Sequence, residues 1–132
     1  MDWSDEFCVG VAKLDQEHMR LVEIINELHD AMLSRRTAEV LNDATDRMAA
    51  YAAGHFSTED RLMIRHGYPR HRQHKLQHDV FTQKAIELQT RVSQKTLVLS
   101  LEVLAFLRNW LANHILRSDK ELALFLNSKG VL

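Results

Sequence analysis

Two pairs of side chains carry the chemistry most plainly. His55 and Glu59 stand four residues apart, and so do His74 and His78. On an α-helix such pairs project from one face, about one turn apart. A single break, Gly67-Tyr68-Pro69, separates them. The spacing predicts two antiparallel helices presenting imidazole and carboxylate groups to each other. That donor mixture suits iron, zinc or manganese better than calcium or magnesium, which favour oxygen-only shells.

The elements that must position these groups are helical. The 132 residues include only four glycines and one proline, so few positions can stop a helix. Asp15 is placed to cap a first helix, whose stripe His18, Leu21/Val22, Ile25, Leu28/His29, Met32 runs to about Ser34. Thr37 can cap a second, with Met48, Tyr51/Ala52, His55, Glu59 and Leu62/Met63 on one face and Gly67 as its C-terminal stop. Pro69 suits the first turn of a third helix, with the stripe His74, His78, Phe81, Ala85, Leu88, Val92. After a polar turn from Ser93 to Thr96, Leu97, Leu104, Leu107, Leu111 and His114 share a face of a fourth helix. Asp119 follows His114 by five residues, a rotation of about 140° on a continuous α-helix. Either it faces elsewhere, or the helix breaks near Ser118 and a short helix, Lys120 to Leu126, restarts. Four amphipathic helices with short loops predict an all-α, up-down-up-down antiparallel four-helix bundle, one domain spanning residues 1–132.

In such a bundle the start of the first helix, the end of the second, the start of the third and the end of the fourth lie together. Counted from Gly67, Glu59 and His74 each lie roughly 11–12 Å from the turn, and His55 and His78 form a second matched level. His18, counted from the loop near Arg36, matches His55, and His114 reaches the same depth. Five histidines and one glutamate can thus meet in one layer, with Asp119 available if the break occurs. Seven protein ligands are too many for one tetrahedral zinc and fit two octahedral metals sharing carboxylates, with a position left open. His29 reads as a core-edge residue, His66 as solvated in the turn, and His71, in the first turn after Pro69, as a non-ligand.

The remaining features narrow the class. A net charge of −1 gives no footprint for nucleic acid or anionic membrane. The acidic N-terminus lacks the basic and apolar regions of a signal peptide. The longest apolar stretch, Leu97 to Leu107, is interrupted by Ser100 and Glu102. A soluble, cytoplasmic protein is expected. The one cysteine, Cys8, reads as a small, partly buried hydrophobe. The cationic runs Arg35-Arg36 and Arg70 to Lys75 read as solvated helix surface.

Together these elements resemble the hemerythrin family, specifically its single-domain bacterial members. The residues that carry the resemblance are Asp15-Gln16-Glu17-His18, His55-Phe56 with Glu59 and Met63, Gly67-Tyr68-Pro69, His74 with His78 and Phe81, and Trp110-Leu111 with His114-Ile115 and Asp119. Trp3 and Val9-Gly10 resemble the family's N-terminal arm. Asp60 stands where the family usually has Glu, at a position read as solvated. The resemblance implies a non-haem di-iron centre that binds O2 reversibly. One iron would be held by His74, His78 and His114 and the other by His18 and His55. Glu59 and Asp119 would bridge them, with an oxo or hydroxo group completing the bridge. O2 would bind at the two-histidine iron. Leu111 and Ile25 are the candidates for an apolar lining over that position.

Neutral imidazoles stabilise high-valent iron less than carboxylates do, so a histidine-rich site can lend two electrons to O2 and recover them. The expected role is therefore non-enzymatic oxygen transport, storage or buffering. The alternatives are an O2 or redox sensor acting through a separate protein partner, a di-iron oxidase or peroxidase, and a zinc or manganese structural site.

Overall fold

Apolar side chains recur every three or four residues, and the helices follow them. The computed structural model describes residues 2–132, excepting the side chain of Leu99. Helices α1 (Ala12–Leu33), α2 (Ala38–His66), α3 (His71–Ser93) and α4 (Leu97–Asn113) are the four long elements, and a terminal helix α5 (Lys120–Ser128) completes the chain. α1 packs on α2 and α4, and α3 packs on the same two, which closes an antiparallel up-down-up-down ring. The expected fold class is borne out. No helix among the described residues is long and apolar enough to cross a membrane.

Thr37 caps α2 as its residue type requires, its hydroxyl accepting from the Val40 N–H at 3.3 Å. Gly67 ends that helix in the left-handed region at φ 67°, where a Cβ would be strained, and the Tyr68 N–H returns to the Met63 carbonyl at 2.9 Å. Two boundaries differ from expectation. α1 begins at Ala12, so Asp15 lies in its first turn instead of capping it. The Asp15 carboxylate reaches back to accept from the Val9 and Gly10 N–H groups at 2.7 and 3.4 Å, and so ties the N-terminal arm down. Pro69 precedes α3 by two residues, because Arg70 occupies the cap position.

The fourth helix neither breaks nor continues as α. Residues His114–Asp119 form a π-helical turn that runs directly into α5. Its hydrogen bonds close from i to i+5, so side chains five apart return to one face. This resolves the 140° mismatch without a break.

The core lies in two apolar clusters on either side of a polar layer. The larger includes Leu21, Ile25, Leu28, Met32, Met48, Phe81, Leu88, Leu104, Leu107 and Leu111. The smaller joins Val11, Leu14, Met63, Tyr68, Leu122, Ala123 and Leu126. Each fully buried aliphatic or aromatic side chain contributes roughly 1.5–3 kcal/mol. Between the clusters lie His18, His55, Glu59, His74, His78, His114 and Asp119, all buried. Cys8 is exposed, not partly buried as expected: it follows the short helical turn Asp5–Phe7, whose buried side chain is Phe7.

Candidate metal centre

α1 contributes His18, α2 contributes His55 and Glu59, α3 contributes His74 and His78, and the π turn contributes its first and last residues, His114 and Asp119. Their ligand atoms fall into two overlapping groups. His74, His78 and His114 lie with Glu59 and Asp119, and His18 and His55 lie with the same two carboxylates, all atoms of each group within 4.8 Å of one another. All seven residues singled out from the sequence are therefore brought together.

The Asp119 oxygens are divided between the groups, whereas Glu59 Oε1 faces both, lying 3.7 Å from His55 Nε2 as well. Asp119 Oδ1 lies 3.0 Å from His74 Nε2 and 3.1 Å from His114 Nε2, while its Oδ2 lies 2.9 Å from His18 Nε2. Glu59 Oε1 is 2.9 Å from His78 Nε2, and its Oε2 faces His18 at 3.8 Å. His78 Nε2 and His114 Nε2 stand 3.1 Å apart. Two donors about 2.1 Å from a common ion and at right angles to each other stand about 3 Å apart, so these separations fit a shared metal.

Direction supports the same fit. His18 Nε2, His55 Nε2, Glu59 Oε2 and both Asp119 oxygens are buried without a hydrogen bond. His18 Nε2 and Asp119 Oδ2 stand 2.9 Å apart without forming a hydrogen bond. Unpaired buried polar atoms are costly, and metal coordination removes that cost.

Residues behind the donors set their tautomers. His55 Nδ1 donates to Glu17 Oε1 at 2.8 Å, and His114 Nδ1 donates to Gln77 Oε1, also at 2.8 Å. With the proton on Nδ1, each Nε2 lone pair is free to coordinate. Glu17 is itself held by Lys13 at 3.3 Å and by the Thr58 hydroxyl at 3.3 Å, and Gln77 Oε1 also accepts from Ser118 Oγ at 2.6 Å. Neither Glu17 nor Gln77 was singled out by spacing. The available signal was that each directly precedes a singled-out histidine, His18 or His78. Aromatic rings brace the three-histidine side: Phe56 stacks on His78 at 4.0 Å and Trp110 on His114 at 4.5 Å.

Charge is concentrated in this layer. Burial works to lower the His114 pKa, but Asp119 and Glu59 together push it up to about 9. Burial works to raise the Asp119 carboxyl, and His114, His18 and His74 hold it well below the usual range. Glu59 is lowered as well, against burial and the Asp119 charge, by His55, His114 and His74. Burial lowers His78. The two carboxylates draw positive charge to the layer, as protons or as metal ions.

The other singled-out residues fall outside the cluster. His71 pairs with Asp60, and both are half-buried, so Asp60 is not the freely solvated residue expected. His29 is half-buried beside Asp30, and His66 is half-buried as the last residue of α2, not in the turn. Leu111 and Ile25 are fully buried in the larger apolar cluster.

A family model for the hemerythrin HHE cation binding domain matches residues 9–126. A bacteriohemerythrin of Stenotrophomonas maltophilia is 36% identical over 121 residues, covering 92% of this chain and 78% of its own. One from Clostridium acetobutylicum is 31% identical over 123 residues, covering 90% and 95%. A crystal structure of wild-type hemerythrin superposes with a TM-score of 0.84 at 27% identity, covering 96% of this chain and 97% of that one.

Proposed function

The chain belongs to the hemerythrin family, and from that membership we propose that it binds O2 reversibly at a di-iron centre to carry, store or buffer oxygen, without catalysing a reaction. His74, His78 and His114 would hold one iron and His18 and His55 the other, with Glu59 and Asp119 spanning both. Iron held by these residues would supply the reversible two-electron chemistry that O2 binding requires.

The observation that carries this reading is the donor set, five imidazoles against two carboxylates, with both carboxylates common to the two groups. A shell so poor in carboxylate favours return of the electrons over onward oxidation. The two-histidine group offers one donor fewer, so it would leave room for O2. Glu17 keeps the His55 ring oriented, and Gln77 does the same for His114. Leu111 and Ile25 supply apolar bulk that excludes water from the layer.

The test is an optical titration of anaerobic, iron-loaded protein with O2, followed by deoxygenation. A charge-transfer band that appears with O2 and vanishes on its removal supports the carrier reading. Irreversible oxidation with continued consumption of reductant overturns it in favour of an oxidase. Retention of the band in Asp119→Ala would remove Asp119 from the shell.

A further inference from the structure

At the end of the bundle away from the histidine layer, the α1–α2 and α3–α4 loops flank an open cavity of about 290 Å3. His55 lies 17 residues along α2 from Ala38 on the cavity wall, so the two regions are about 25 Å apart. Met32, Leu41, Val92 and Leu97 form its apolar walls. Arg35, Arg36 and Lys95 stand at the mouth. None of these three cations has an acidic partner within ion-pair distance among the described residues, a state they share with most lysines and arginines of the chain, and what sets them apart is their grouping around one apolar cavity.

Two further observations point to a ligand. The Ser100 hydroxyl lines the cavity, is only 2% exposed as a residue and makes no hydrogen bond. A buried hydroxyl without a partner is uncommon and costly. In addition, the first turn of α4 has no side-chain cap, and although the Ser100 N–H is bound to the Thr96 carbonyl at 2.9 Å, the N–H groups before it are left for an acceptor. Among the described residues, Arg35 and Lys95 are also the two non-glycine residues with positive φ, at 51° and 59°. A backbone that holds long cations in a conformation better suited to glycine keeps them there at some cost to stability.

We propose that this cavity binds a small amphipathic monocarboxylate, its hydrocarbon body between the apolar walls and its carboxylate at the Arg35, Arg36 and Lys95 mouth. The volume lies at the lower end of the range for ligand pockets, which limits the occupant to a short or medium chain. Unpaired cations over apolar walls match a molecule with one anionic end. The Ser100 hydroxyl and the uncapped α4 turn supply hydrogen-bond donors to the carboxylate.

The probe is octanoate, titrated into the metal-loaded full chain by calorimetry and by amide chemical shifts, with 1-octanol and acetate as controls. Octanoate should saturate, moving the amides of Lys95, Leu97 and Ser100, and both controls should bind at least about tenfold more weakly, since each lacks one half of the recognition. The double variant Arg35→Gly/Lys95→Gly removes two cations and relieves both positive-φ positions, so it should fold at least as stably while weakening octanoate at least about tenfold. Absence of saturation, equal binding of 1-octanol, or undiminished binding by the double variant overturns the proposal. No arm reads O2 binding, so failure here leaves the carrier reading untouched.

Discussion

At the scale of single residues, protons and metal ions compete for the same nitrogens. The protonated form of His114 is favoured in the folded protein, so its contribution to stability is complete below the ordinary imidazole value of 6.5 and is lost as pH rises through about 9. Glu59 and Asp119 run the other way. Their contribution is present above the ordinary values of 4.5 and 3.8 and is lost as pH falls through their lowered values. Metal-free protein should therefore melt at its highest temperature between about pH 4.5 and 6.5 and less stably on either side. Loading with Fe2+ at neutral pH should release protons, seen as a calorimetric heat that varies with the buffer's ionisation enthalpy. A heat independent of buffer would mean that His114 is already neutral. Glu17→Ala should lower metal affinity roughly 10–100-fold by freeing the His55 ring, and Glu17→Gln, which retains an acceptor, should recover part of the loss. Metal stoichiometry measured under competition with a chelator distinguishes the two variants.

At the scale of elements, local chemistry made much of the chain legible. Thr37 and Gly67 act through their own side chain or lack of one, and both ends of α2 follow from residue type. Gly67→Ala should cost about 1 kcal/mol by thermal or urea denaturation, entirely from backbone conformation, because no atom lies within 4 Å of the added methyl. A cost above about 3 kcal/mol would mean that the turn has other work to do. Other features were not legible, for physical reasons. Asp15 is a good cap type, but the apolar residues Val11 and Leu14 pull the helix start earlier, and its carboxylate serves the arm. The π turn leaves no mark in residue type, since its residues would suit an α-helix equally well. Glu17 and the cation-lined cavity depend on packing between elements remote in sequence, which periodicity along one helix does not report. Convergence of the histidines was legible because all five lie at matched distances from their turns.

At the scale of the whole molecule, the smaller apolar cluster closes the end of the bundle over the polar layer. Leu122, Ala123 and Leu126 of α5 meet Val11 and Leu14 of α1 and Met63 and Tyr68 around the α2–α3 turn. Leu122→Ala should cost about 2–5 kcal/mol in unfolding free energy and should also quicken iron loss to a chelator, because water gains a path to the layer. Destabilisation without faster iron loss would show that α5 supports the fold but does not seal the centre. Metal that binds only the folded chain raises its stability with metal concentration, so chelation should lower the melting temperature.

The π turn lets the chain carry one residue more than an α-helix needs between the histidine and the aspartate. Deleting Leu116 would leave four steps between them, which an ordinary α-helix satisfies, and the acid would still reach the layer. Leu122 and Leu126 follow Asp119 on regular helix, so their phase is tied to that of the acid and they would stay in the seal. Deleting Lys120 instead would turn both leucines by about 100° and out of the seal. A change of length that the π turn absorbs is thus rejected one residue beyond it.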